Sequence, residues 1–195
     1  MTTPASPPPS APFPGPLAAG IAAAYDPPVM EARRWIAGRD FPGDRPLLNL
    51  SQAAPVDPPP ETLRRAIAEA ALSEPQAHLY GPVLGLPALR EEIASQWSTA
   101  YGGAISPADV AVTPGCNQAF CALMATLAGP GDAVLLPTPW YFNHKMWLDI
   151  TGVVARPLPC DNALVPILEE AEARMAGVKA IVLITPNNPT GAEYP

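Results

Sequence analysis

The chain has 195 residues, 48% of them hydrophobic and 15% charged, which is enough for one domain with a packed core and too apolar for disorder throughout. A formal net charge of −7 argues against nucleic-acid binding and against attraction to an anionic membrane surface. No apolar run reaches the roughly 18 residues of a transmembrane helix, and Cys116, Cys121 and Cys160 lack metal-binding spacing, so reduced, partly buried thiols and no metal site are expected. In chain order, the Pro/Ala-rich residues 1–20 read as a disordered tail, and no lysine or arginine falls within Met1–Pro16, so no signal peptide is expected and the location is cytoplasmic. Residues 18–38 carry a helical pattern broken at Pro27-Pro28 and closed by Gly38, and Leu47–Leu50 could pair as a strand. Pro58-Pro59-Pro60 lead into a helix at Glu61 with Leu63, Ile67 and Ala70 on one face. Residues 77–85 read as loop, and a second helix runs from Pro87 to the Gly102-Gly103 stop.

Beyond residue 110 the pattern alternates. Strands are predicted at Val110–Thr113, Ala133–Leu136, Gly152–Leu158 and Ala180–Thr185, the last as the clearest buried strand. Helices are predicted at Cys116–Leu127, Tyr141–Ile150 and Pro166–Ala176. Strands separated by helices of this length define an α/β fold with a mostly parallel sheet and helices on both faces.

Three segments carry chemistry. Thr113-Pro114-Gly115-Cys116-Asn117-Gln118 runs through a glycine into an apolar helix, where free backbone N–H groups and the helix dipole suit a phosphate; Gly115 could equally serve only the turn. Pro137-Thr138-Pro139-Trp140-Tyr141 follows a strand, where an aromatic ring can cover a flat ligand or simply pack. Pro186-Asn187-Asn188-Pro189-Thr190-Gly191 delivers two amides after another strand, unless the asparagines bond their own backbone. Together the three would suit a phosphorylated aromatic cofactor.

The run Tyr80-Gly81-Pro82-Val83-Leu84-Gly85-Leu86-Pro87-Ala88-Leu89-Arg90, the turn Thr113–Ala119, the block Pro130-Gly131-Asp132 with Pro137–Tyr141, and Asn187-Asn188-Pro189-Thr190-Gly191 occur in the order and spacing of class I/II pyridoxal-phosphate-dependent aminotransferases. Residues 47–195 resemble the N-terminal half of such an enzyme. The resemblance implies the fold type I major domain, incomplete, with residues 21–54 as an N-terminal arm and part of the small domain and 55–195 as the first half of the large, cofactor-binding domain. It implies pyridoxal 5'-phosphate as cofactor, amino acids and 2-oxo acids as substrates, and a homodimer. The backbone of Gly115, Cys116 and Asn117 would hold the phosphate, Tyr141 would stack on the pyridine ring, and Asn188 would bond its phenolic oxygen. Tyr80 would reach the phosphate of the neighbouring subunit's cofactor. Near Gln52-Ala53-Ala54-Pro55, many relatives have a glycine that lets the substrate carboxylate approach the backbone; alanine stands here instead.

The family's Schiff-base lysine, its aspartate at the pyridine nitrogen and its substrate-binding arginine lie C-terminal to the NNPTG motif, whereas this chain ends four residues after Gly191. Its only lysines, Lys145 and Lys179, read as ordinary surface residues. The expectation is therefore a fragment, inactive by itself, of an aminotransferase. Other reactions on the same scaffold, of the carbon–sulfur lyase or cyclopropane-forming synthase type, remain open. So does an aminotransferase-like domain of a regulator, although no basic module precedes Arg33. A final expectation is topological: Gly115–Asn117, Tyr141 and Asn188 each follow a parallel strand, so all three should meet at one edge of the sheet.

Overall fold

A computed structural model describes residues 15–195. The first 14 residues of the expected tail lie outside them. The described residues divide into two compact units, Pro27–Leu123, and those up to Asp26 with Met124–Pro195.

The second of these units holds the sheet. Strands β1 (Ala133–Pro137), β2 (Val154–Leu158) and β3 (Val178–Ile181) are all parallel in the order β2-β1-β3. β1 reads Ala-Val-Leu-Leu-Pro without alternation and is buried along its whole length, as a central parallel strand covered on both faces requires. Val134 and Leu135 are completely inaccessible. The crossover from β1 to β2 carries α6 (Phe142–Thr151), and that from β2 to β3 carries α7 (Leu168–Arg174). Gly152, at φ +75°, ends α6 in a left-handed conformation that a side chain would strain. The Arg156 guanidinium on β2 donates to the carbonyls of Arg174 and Ala176 at 2.6 and 2.8 Å, tying the end of α7 to the sheet. Pro130-Gly131-Asp132 has a structural task here. Gly131 N–H bonds the Gly152 carbonyl, the Asp132 carboxylate takes the Gly129 N–H at 2.9 Å, and the Asp132 carbonyl takes the Val154 N–H.

A short helix, α1 (Ala19–Ala23), lies along α6. The contact depends on Gly20, since a Cβ there would sit 2.2 Å from the Ile150 carbonyl oxygen. At the other end of α6, the Tyr25 hydroxyl donates to the Phe142 carbonyl at 3.5 Å. Burial, with a smaller push from Asp149, raises the Tyr25 pKa above its ordinary value.

The unit Pro27–Leu123 contains α2 (Pro28–Ile36), α3 (Glu61–Ser73), α4 (Pro87–Tyr101) and the opening turns of α5 (Cys116–Leu127). Proline opens α2 and α4, where its missing N–H costs nothing, and Gly102 at φ +65° closes α4. Burial is sparse: among the described residues of this unit only Ala94, Val110 and Phe120 are buried. The predicted apolar face of α3 forms, yet Leu63 and Ile67 on it are exposed.

The structure corrects three of the expected strands. Leu47–Leu50 forms none, and Leu48 and Leu50 are exposed; with no neighbouring backbone to pair with, β propensity has nothing to act on. Val110–Thr113 is extended but outside the sheet. Its backbone makes one cross-link, Val112 N–H to the Leu84 carbonyl at 3.0 Å, while the Arg90 guanidinium donates to the Val110 carbonyl at 2.7 Å. Gly85, at φ +101°, permits this approach, because a Cβ there would lie 2.9 Å from the Val112 side chain. The predicted buried strand Ala180–Thr185 is reduced to β3, extended by one bond from Val182 N–H to the Leu135 carbonyl, with half-exposed to exposed residues. β3 stands at an edge of the three-stranded sheet, so an apolar sequence alone does not bury it.

Candidate functional site

Gly115 makes the turn that leads into α5, without the strand expected before it. Gly115 adopts φ +91°, and a Cβ at this residue would meet nothing within 4 Å. The Thr113 hydroxyl donates to the Gly115 carbonyl at 2.9 Å, and the Gly115 N–H bonds the Thr113 carbonyl at 2.7 Å. The first helical bond is Ala119 N–H to the Gly115 carbonyl at 3.4 Å. The N–H groups of Cys116, Asn117 and Gln118 therefore precede the helical ladder and have no intrahelical acceptor. All three residues are exposed. Unpaired donors at the positive end of a helix of 12 residues are the kind of group that can attract an anion. Cys116 is exposed rather than partly buried, because that same turn holds it at the helix start; Cys121 and Cys160 are partly buried, and all three thiols are free.

Tyr141 lies four residues beyond the end of β1 and caps the start of α6. Its ring is half-buried and held from two sides. The Asn143 amide donates to the Tyr141 hydroxyl at 2.7 Å, and the His144 ring packs edge-on against the Tyr141 ring with centroids 5.1 Å apart. His144 is buried, and burial pushes its pKa below the ordinary histidine value.

The two asparagines of the 187–191 turn divide the work. Asn187 is buried; its side-chain oxygen accepts from the Thr190 N–H and hydroxyl at 3.2 and 2.9 Å, and its backbone closes the turn with Gly191 and Ala192. Asn188 is exposed, and none of the turn's hydrogen bonds uses its side chain. Tyr141 and Asn188 thus both follow the carboxyl ends of adjacent parallel strands, β1 and β3. The corresponding argument for Gly115 loses its premise, because Val110–Thr113 is not one of the strands. Tyr80 stands in the 79–86 loop fully exposed to solvent.

Lys145 is not an ordinary surface residue. It is half-buried, paired with the Asp149 carboxylate one helical turn away, and its ammonium lies 5.7 Å from the centre of the Trp140 ring. The i, i+4 spacing to an aspartate and the tryptophan five residues earlier place it there. Lys179 fits the surface reading better: it is half-exposed, with Asp132 at 3.8 Å. Sequence reading placed Thr113 in the turn without its role and missed Asn143; each holds a candidate residue two positions away. Their signal was a hydroxyl and an amide beside a glycine turn and a helix start, which is too common a pattern to single them out.

A three-stranded parallel sheet with helical crossovers defines the α/β class of this chain. The sequence model of the family Aminotransferase class I and II matches residues 45–195. The chain belongs to that family. It is 31% identical over 153 residues to an aspartate aminotransferase of Streptomyces avermitilis, a match covering 77% of this chain and 37% of that protein. It is 34% identical over 150 residues to transaminase BacF of Bacillus subtilis, covering 75% of this chain and 37% of that protein. Its fold matches the solved aspartate aminotransferase of Thermus thermophilus with a TM-score of 0.78 at 27% identity, over 93% of this chain and 47% of that one. An aminotransferase from Mycobacterium tuberculosis matches with a TM-score of 0.79 at 26% identity, over 93% and 46%. The chain spans under half the length of these proteins. Among the described residues, no helix is long and apolar enough to cross a membrane.

Proposed function

We propose that these residues are the cofactor-binding half of a pyridoxal-phosphate-dependent aminotransferase that moves an amino group between an amino acid and a 2-oxo acid. The observation that carries the proposal is the turn before α5: Gly115 at φ +91°, an open face above it, and three exposed N–H groups with no intrahelical acceptor. Donors at the start of a helix suit a phosphate. The remaining residues fit the rest of the group: a half-buried tyrosine ring held in a fixed orientation and an asparagine amide left outside its own turn.

When bound, pyridoxal phosphate supplies an electron-withdrawing ring that stabilises negative charge at a substrate carbon. The backbone of Gly115, Cys116 and Asn117 would anchor the phosphate and so fix the group in register. Tyr141 would cover one face of the ring and exclude water from it. The Asn188 amide would donate to the ring's phenolic oxygen and favour its deprotonated form. In a homodimer the fully exposed Tyr80 would add its hydroxyl to the partner's phosphate. Residues 21–54 would then be the arm and part of the small domain, and 55–195 the first half of the large domain. Three free thiols fit the reducing cytoplasm.

The test is a titration of the 195-residue chain with pyridoxal 5'-phosphate and with pyridoxal, read by tryptophan fluorescence. Tighter binding of the phosphorylated form by about tenfold or more, one charge-assisted hydrogen bond's worth, is the expected result. Equal affinity for the two, or no saturable binding of either, would sink the proposal. The protein expressed from the complete reading frame should in addition convert a 2-oxo acid into an amino acid.

A further inference from the structure

We infer that Asn143 is a positioning residue for Tyr141, a role that rests on the reading of Tyr141 as the cover of the cofactor ring. The two residues flank the start of α6, with Tyr141 at its cap and Asn143 in its first turn. The Asn143 side-chain amide donates to the Tyr141 hydroxyl at 2.7 Å, a bond between side chains two residues apart. Such neighbours do not face each other along a regular helix, and the non-helical backbone at Tyr141 (φ −69°, ψ 118°) is what lets the pair meet. His144 fixes the same ring from another side, edge-on with centroids 5.1 Å apart and interplanar angle 83°.

A tyrosine ring otherwise turns about two side-chain torsions. The His144 contact restrains the tilt of its plane, and the Asn143 bond restrains the far end, where a small torsional change moves the hydroxyl most. A ring that must lie flat on a planar ligand gains affinity from being oriented before the ligand arrives. An asparagine suits this place because its amide donates without charge. Aspartate at the same length would turn a carboxylate toward the hydroxyl and reverse the sense of the bond.

The experiment follows the Tyr141 ring by NMR of the chain labelled with ring-13C tyrosine, assigned through Tyr141→Phe, with pyridoxal 5'-phosphate affinity measured in parallel. Asn143→Ala is expected to shift the Tyr141 ring resonances, speed its ring flips and weaken pyridoxal phosphate about fivefold, the factor for one hydrogen bond of ordinary strength. In the Tyr141→Phe background, where the acceptor is gone and the ring kept, Asn143→Ala is expected to add nothing. Tyr141→Phe alone reads the same bond from its other side if Asn143→Ala proves too unstable to study. Unchanged Tyr141 resonances in Asn143→Ala, or an equal loss of affinity in both backgrounds, would overturn the inference. Should the resonances shift while the unsubstituted chain binds no pyridoxal phosphate, the anchoring of Tyr141 stands and the proposed cofactor reading falls instead.

Discussion

Gly115→Ala separates the cost of a strained turn from the cost of a damaged anion site. At φ +91° an alanine Cβ crowds its own backbone, at about 1–2 kcal/mol for a residue held in left-handed space. No surrounding atom lies within 4 Å of that Cβ, so packing adds nothing to this figure. The stability loss should therefore stay near 1–2 kcal/mol and leave the chain folded. Binding should suffer separately, because relaxing φ swings the carbonyl now held by the Thr113 hydroxyl and re-aims the N–H groups that follow. Misaligning one charge-assisted bond is worth about 1.5–3 kcal/mol, roughly a tenfold to hundredfold change in affinity. The assay is the ratio of pyridoxal to pyridoxal-phosphate dissociation constants, in which any effect on the folded population cancels. Thr113→Val, which removes the lock without straining φ, should move the ratio in the same direction by less. A Gly115→Ala chain that is destabilised as expected but keeps the unsubstituted ratio would refute the assignment of this turn to the phosphate.

Gly20→Ala should release α1 from α6: its Cβ would lie 2.2 Å from the Ile150 carbonyl oxygen, about 1 Å inside ordinary contact, and hydrogen exchange over residues 19–23 and 142–151 should rise together. Tyr25→Phe, removing only a 3.5 Å hydrogen bond, should change the same exchange far less. His144 links stability to pH. Burial holds its pKa below the ordinary 6.5, so the unfolded chain takes up that proton first as pH falls. Its contribution is intact above about pH 6.5 and is lost as pH drops through the folded value; His144→Gln should flatten the fall in melting temperature between pH 7.5 and 5, and an unchanged slope would refute the linkage. Borohydride treatment of this chain with pyridoxal phosphate should fix no cofactor at Lys145, whose nitrogen is taken up by the ion pair with Asp149 beside the Trp140 ring, and stoichiometric labelling there would contradict this.

What was legible in the sequence is what depends on neighbours along the chain. The prolines before α2, α3 and α4, the glycines after α4 and α6, and the apolar run of β1 all act over a few residues, and each element stands within a residue or two of its predicted place. The strands at Leu47–Leu50, Val110–Thr113 and beyond Ile181 were misread for one reason. A strand is completed by a partner backbone, and an apolar run does not say whether that partner is there. In the candidate site, the positions of Gly115, Tyr141 and Asn188 at element boundaries could be read from turn chemistry. The Lys145 environment could not, since it depends on the turn of α6 that brings Asp149 and Trp140 to one amine.

The candidate residues share a pattern that supports treating them as a set. Each of three is held by a neighbour that spends its own polar groups on doing so: Thr113 on the carbonyl of Gly115, Asn143 on the hydroxyl of Tyr141, and Asn187 on the turn that carries Asn188. The proposed roles call for this arrangement: an amide left outside its own turn at Asn188, and a ring kept in one orientation at Tyr141. Tyr80 departs from this, fully exposed in a loop. An aromatic residue so placed gains nothing within its own unit, and leaving it there is intelligible if its hydroxyl is completed by another subunit. The residues held in place would then be those that act within the chain that carries them, and the one left free would act on its partner.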